Sequence, residues 1–347
     1  MTALTDYECG VLITRGPQDW EIIQQENGAA EVIVSGVFKL TQITGNEKVY
    51  ARVVHEGTRE EVVPYTQCFV EGHEWFIKLK VPAGGLYMLE TVLNNDEEKP
   101  LSHSVRGDVR KHFGVGDVYL IAGQSNAVGY GKEPVNDPPE LGVHCLYARG
   151  KWELAVHPLA DATETLHPVN REHMNPGISP YLRMAKILHQ KLGYPIGLIP
   201  TAKGGSPLRR WNKDEAGDLY QNMLDIVGNR KLTGVLWYQG ESDTFDQRSD
   251  SYFERFTAVV QYFREDLHQK DLPFYTVQIN KKEPMEPERG IEWKRVQKAQ
   301  EKAAEQIPNV YMVLSSDSGL SDTIHNNSAG NMVIGERLAE QILKVQK

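Results

Sequence analysis

The sequence predicts a chain in two parts: an all-β sandwich first, then an α/β domain built as a three-layer, doubly wound parallel sheet. Three observations carry this reading. Residues 1 to about 113 hold short β-branched and aromatic runs with no helical periodicity between them. Beyond that point, apolar strand-like runs alternate with helix-like stretches. At the junction lies Asp117 to Ala122, DVYLIA, which is apolar after its first residue and lacks polar alternation, as a parallel strand buried on both faces should. The boundary is expected near Val109 to Gly116, giving a β-sandwich over 1–113 and a catalytic domain over 114–347.

In the first part, Glu31 to Ser35 and Lys48 to Val54 are short β-branched runs. Trp75 to Val81 alternates apolar with polar, the pattern of a half-exposed strand. Pro82-Ala83-Gly84-Gly85 signals a turn before the next strand, Leu86 to Val92, and Asn94 to Pro100 is a polar turn. In the second part, further strand runs recur at Ile196–Pro200, Gly234–Tyr238, Phe274–Ile279 and Val310–Leu314. Ser179-Pro180 opens a helix that runs to about Leu192. Phe253, Phe256, Val260, Phe263 and Leu267 form the stripe of another at spacings of three and four. Ile291 to Gln306 and Ala329 to Val345 complete the set. Right-handed crossovers between such strands put helices on both faces of the sheet. Residues 131 to 178, rich in proline and holding His144, His157, His167 and His173, read as a long irregular excursion, with the histidines solvated or structural.

The bulk properties exclude several classes. A net charge of −9 argues against a nucleic-acid partner. No apolar run approaches transmembrane length, so no membrane span is expected. The N-terminus shows no basic start followed by an apolar stretch and cleavage site. Cys9, Cys68 and Cys145 form no C-x-x-C pair, so neither disulfides nor a zinc site is indicated, and a cytoplasmic setting is expected. Gly114-Val115-Gly116 precedes its strand and lacks the G-x-G-x-x-G spacing of a dinucleotide site.

Chemistry-bearing residues gather after the strands of the second part. Gly123-Gln124-Ser125-Asn126 ends the junction strand, Lys203 to Pro207 (KGGSP) follows the next, and Gln239 to Asp243 (QGESD) follows Trp237-Tyr238. Asp322-Thr323-Ile324-His325 lies a few residues past the last strand. Ligands bind at this edge of open α/β sheets. A serine hydroxyl is a weak nucleophile until a base takes its proton. His325 can be that base for Ser125, and a carboxylate must orient the imidazole. Asp322, three residues before His325, is the expected acid, with Asp317 and Glu241 as rivals. The transient oxyanion needs preorganised donors, for which Ser125 N–H, Gly205 N–H and the Gln239 side-chain amide are candidates. Asn126 and Glu241 are candidates for substrate contact or loop support. Trp211, after Arg209-Arg210, is a candidate for stacking on a sugar. The scheme requires no metal or cofactor. The strained G-x-S-x-G elbow is absent, because Asn126-Ala127 follows Ser125.

The blocks GDVYLIAGQSN, KGGSP, WYQGESD and DTIH resemble those of the SGNH (GDSL-type) hydrolase superfamily, and within it the sialate O-acetylesterase and carbohydrate acetylesterase branch. The resemblance implies a flavodoxin-like sheet and a serine esterase removing acetyl groups from sugars. By block, it implies Ser125 as nucleophile, Asp322 and His325 as its triad partners, Gly205 as an oxyanion donor, and Gln239 in place of the superfamily's asparagine. After the histidine, where the branch often carries proline and a basic residue, this chain has Asn326-Asn327. The expected substrate is a small acetylated sugar or glycan. The alternatives are a non-catalytic carbohydrate-binding protein and an esterase or lipase acting on lipid or aryl esters.

Overall fold

The computed structural model describes residues 9–40, 43, 45–94, 101, 104–171 and 175–346. The chain divides into two compact units, Met1–Gly116 and Asp117–Lys347. Two of the expectations above fall outside the described residues: the polar turn from residue 95 to 100, and His173.

The first unit is all β. Its strands are β1 (Gly10–Arg15), β2 (Ile22–Gln24), β3 (Ala29–Lys39), β4 (Lys48–His55), β5 (Glu61–Gln67), β6 (Phe69–Glu71), β7 (Glu74–Pro82), β8 (Gly84–Asn94) and the first half of β9 (Val105–Gly123). One sheet has the order β1-β3-β7-β6, and β4 pairs with β5 and β8 in another. Residues from both sheets, among them Val34, Leu79, Val53 and Leu89, share one buried core. β7 alternates exposed and buried residues along its whole length, as its sequence predicts. Pro64 is tolerated inside β5 because, among the described residues, that strand pairs with β4 alone, and Pro64 falls where the register between them shifts.

β9 does not stop at the expected boundary. It runs unbroken through Gly114 and Gly116, pairing with β2 and β8 in its first half and supplying the junction strand of the second unit in its second half.

The second unit adds α1 (Ser125–Val128), β10 (Val143–Tyr147), β11 (Lys151–Leu154), α2 (Tyr181–Leu192), β12 (Ile196–Pro200), α3 (Asp218–Val227), β13 (Gly234–Tyr238), α4 (Tyr252–Asp266), β14 (Phe274–Val277), α5 (Pro287–Gln306), β15 (Val310–Val313) and α6 (Ser328–Val345). The strand order is β11-β10-β12-β9-β13-β14-β15, and every pair except β10-β11 is parallel. The segment expected to be irregular therefore contributes a hairpin, β10-β11, that extends the sheet. Of its histidines, His144 is fully buried with Nε2 2.7 Å from the Leu141 carbonyl, and His157 lies 3.1 Å from Asp137, so both are structural.

Helices cover both faces. α2 and α6 bury Leu182, Leu188, Ile334 and Leu338 against Leu236 and Tyr238. On the other face, Trp237 meets Phe256 and Phe263 of α4, and Tyr220 of α3 meets Phe263. Alternation along β13 explains why neighbours Trp237 and Tyr238 serve opposite layers. The consequence for function is positional. β12, β9 and β13 are adjacent, so the loops that follow them must emerge side by side.

Candidate active site

The site is built on the end of β9. Gly123 has φ +132°, and a Cβ there would lie 2.1 Å from the Tyr238 carbonyl oxygen, so only glycine fits. The sharp turn it permits starts the single-turn helix α1 at Ser125. The N–H groups of a first turn have no intrahelical partner, and Ser125 N–H is one of them. Ser125 is 9% exposed.

Gln124 locks this turn to the loop after β13. Its N–H donates to Tyr238 O at 2.9 Å, and its Oε1 accepts from Gln239 Nε2 at 3.2 Å and Ser242 N at 3.1 Å. The loop after β12 is tied in as well. Lys203 N and Ser206 Oγ both donate to Gly123 O, at 3.0 and 3.3 Å. Gly205 in that loop has φ +65°, and nothing lies within 4 Å of a Cβ built on it, so its backbone borders open space.

The His325 loop arrives from the far end of the sequence and is gripped by Asn126. Asn126 Oδ1 accepts from Asn326 N at 3.0 Å, and Asn126 Nδ2 donates to Ile324 O at 3.3 Å. The residues on either side of His325 are thus bonded to the residue that follows Ser125. His325 Nδ1 lies 2.7 Å from Asp322 Oδ2, while Asp322 Oδ1 accepts from the backbone N–H groups of Ile324 and His325, each at 2.8 Å. Partial burial works to raise the Asp322 pKa, but the His325 ring and these two N–H groups outweigh it and hold the carboxyl below its usual range. Among the described residues no hydrogen bond joins Ser125 Oγ to His325; such contacts often tighten only once substrate is bound. The ring of Tyr130 packs on His325 at 4.9 Å between centroids.

The rival acids are engaged elsewhere. Asp317 pairs with Arg337 at 2.6 Å, and Glu241 Oε1 accepts from Asn126 Nδ2 at 2.6 Å. Two other candidates are corrected by the geometry. Trp211 is fully buried, edge-on to Trp237, with Nε1 donating to Ser206 Oγ at 3.1 Å, so it packs the core and meets no sugar. Gln239 is also fully buried, and its amide donates to Gln124, to Ser206 O and, at 2.6 Å, to Asp243 Oδ2. It organises three loops and has no donor to spare for an oxyanion.

Sequence reasoning missed Glu133 and gave Asn326 no structural role. Asn326 is fully buried and donates to Tyr238 Oη at 2.9 Å while accepting from Asn280 Nδ2 at 2.7 Å. Glu133 accepts from Ser328 N and Ser321 Oγ, both at 2.8 Å, on either side of the Asp322–His325 segment. Slight burial opposes ionisation there, but these donors prevail and push its carboxyl down from 4.5 to about 2. A carboxyl with a depressed folded pKa stabilises the fold fully above its unfolded value and loses that contribution as pH falls. The stability gap between the wild type and Glu133→Gln should therefore be constant above pH 4.5 and close as pH approaches about 2. Urea midpoints across that range test this; a gap that does not narrow would remove Glu133 as the tie.

Among the described residues no group of three or more histidine, cysteine, aspartate or glutamate side chains is placed to hold a metal ion.

Residues 115–344 match the model of the family described as carbohydrate esterase, sialic acid-specific acetylesterase. A probable carbohydrate esterase of Arabidopsis thaliana is 29% identical over 186 residues, covering 47% of this chain and 68% of that protein. The sialate O-acetylesterase of Homo sapiens is 25% identical over 250 residues, 58% of this chain; the match spans 47% of the human protein's length. The crystal structure of a carbohydrate acetylesterase from Xanthomonas citri superposes with a TM-score of 0.59 at 22% identity, over 95% of this chain and 74% of that one. At that identity the likeness speaks for the fold.

Proposed function

The chain belongs to the sialic acid-specific acetylesterase family of carbohydrate esterases, hence to the carboxylic ester hydrolases, and from that premise we propose that it removes acetyl groups from sugars through an acyl-Ser125 intermediate. The observation that carries this reading is the pairing of His325 with Asp322 in a loop bonded on both sides of the imidazole to Asn126, next to Ser125.

In the proposed reaction, Asp322 holds Nδ1 of the imidazole protonated, leaving Nε2 to accept the Ser125 hydroxyl proton. Oγ then attacks the acetyl carbonyl carbon. The N–H groups of Ser125 and Gly205 take the resulting oxyanion, and Gln239 contributes by fixing the loops that carry them. Collapse breaks the bond to the sugar oxygen, which leaves with the proton from His325. Water repeats the sequence on the acyl-enzyme and releases acetate.

Acetate release from a panel of acetylated sialic acids, acetylated xylan and simple sugar acetates tests the proposal. Release from one class of sugar ester, with kcat/KM above that for a long-chain lipid ester, is the expected result. Hydrolysis confined to lipid or aryl esters, or glycan binding with no hydrolysis, would overturn it.

A further inference from the structure

The first two turns of α5 reach both sides of the site. Arg289 Nε donates to Thr244 Oγ1 at 3.2 Å, and Thr244 Oγ1 donates to Glu241 O at 2.8 Å, on the loop whose side chain holds Asn126. One turn later, Trp293 Nε1 donates to Asn280 O at 2.7 Å, and Asn280 Nδ2 reaches Asn326, beside His325. The start of α5 is thus tied through Arg289 to the loop that holds Asn126, and through Trp293 to the residue after His325.

Its guanidinium is unlike the other arginines nearby. Arg255, Arg210 and Arg248 each pair with a carboxylate at 2.8 Å or less. Among the described residues, no carboxylate comes within ion-pair distance of Arg289, and its one hydrogen bond uses Nε. The carbon of the guanidinium sits 3.7 Å from the ring centre of Phe245 and 5.5 Å from that of Trp293, and Phe245 is 45% exposed. Partial burial draws the Arg289 pKa down, with Glu286 and Glu241 acting against it at longer range. Arg289 also stands in the first turn of a helix of 20 residues, where the macrodipole disfavours a cation and favours an anion. A partly buried fork with free Nη donors, stacked on an aromatic ring, is built to receive a planar anion.

We propose that Arg289 is a specificity-determining residue that binds the carboxylate of an acidic O-acetylated sugar, with the exposed ring of Phe245 against the sugar. The inference rests on the esterase reading of Ser125 and His325 and names the acidic group of their substrate.

The test is steady-state acetate release from three substrates: O-acetylated N-acetylneuraminic acid, its carboxyl methyl ester, and a neutral acetylated methyl glucoside. Wild type, Arg289→Gln and Arg289→Lys are compared. Arg289→Gln should raise KM for the free acid by about ten- to a hundredfold and leave the two neutral substrates within about threefold. Arg289→Lys, which keeps the charge and loses the fork, should fall between. In the wild type, methyl esterification alone should cause the same loss, and in Arg289→Gln it should cause none. Equal losses on all three substrates, or a wild type indifferent to the methyl ester, would overturn the assignment. A wild type inactive on all three would instead sink the esterase reading beneath it.

Discussion

Ser125→Ala should lower kcat for an acetyl ester by about 10⁴-fold or more and leave the folded protein intact. The two halves of this expectation rest on different observations. The loss is large because Ser125 carries the hydroxyl at the end of β9, in the first turn of α1, and the residue after it grips the loop whose imidazole is paired to a carboxylate. The residual rate would come from the oxyanion donors alone, which act without the nucleophile. The fold should survive because Ser125 Oγ makes no hydrogen bond among the described residues, and alanine suits the first turn of α1. A thermal midpoint within about 2 °C of wild type would separate lost chemistry from lost structure. A serine-reactive phosphonate should label the wild type at this position and fail to label the variant. Equal rates of hydrolysis by the two proteins would end the nucleophile assignment.

Much of this arrangement could be read from the residues because it follows from local rules. A strand apolar on both faces, ended by glycine, serine and asparagine, declares both its place in the sheet and the exit of its loop. The helix of Phe253, Phe256 and Phe263 was legible from its stripe; the structure places it at Tyr252–Asp266. What stayed hidden depends on partners distant in sequence. Asp218–Val227 was not foreseen as a helix, and β10-β11 lay inside a proline-rich segment with no clear period. Trp211 and Gln239 carry the right chemistry for a site, and only the packing shows that their N–H groups are spent on Ser206, Gln124 and Asp243. Asn326 was legible only as a departure from the family pattern. Its buried bonds to Tyr238 and Asn280 give that departure a structural purpose. The orienting acid illustrates the same division. Spacing could not choose among Asp322, Asp317 and Glu241, whereas the competing partners Arg337 and Asn126 remove two of them.

Asn126→Ala should be costly in both stability and rate, for one reason. Asn126 is 2% exposed and makes three side-chain bonds, to Glu241, to Ile324 O and from Asn326 N. Glu241 is itself buried, and among the described residues its Oε2 already has no hydrogen-bond partner. Truncation would remove from the buried Glu241 carboxylate its side-chain donor and leave the Asn326 N–H without its acceptor, at roughly 3–5 kcal/mol in total. Burial already raises the Glu241 pKa, and Asn126 is the largest influence holding it back. Without that bond the carboxyl takes up a proton more readily. An acid whose folded pKa lies above its unfolded one loses stability as pH rises through that interval, so the deficit of Asn126→Ala should be larger at neutral pH than in mild acid. Adding Glu241→Gln should recover part of the loss, and the double-mutant cycle measures how much the pair shares. The rate should fall by about a hundredfold, because a small displacement of the His325 loop costs that much in orientation. Urea midpoints at two pH values and kcat for an acetyl ester together test the bridge. A variant with the wild-type midpoint and kcat would show that the His325 loop is held by something other than Asn126.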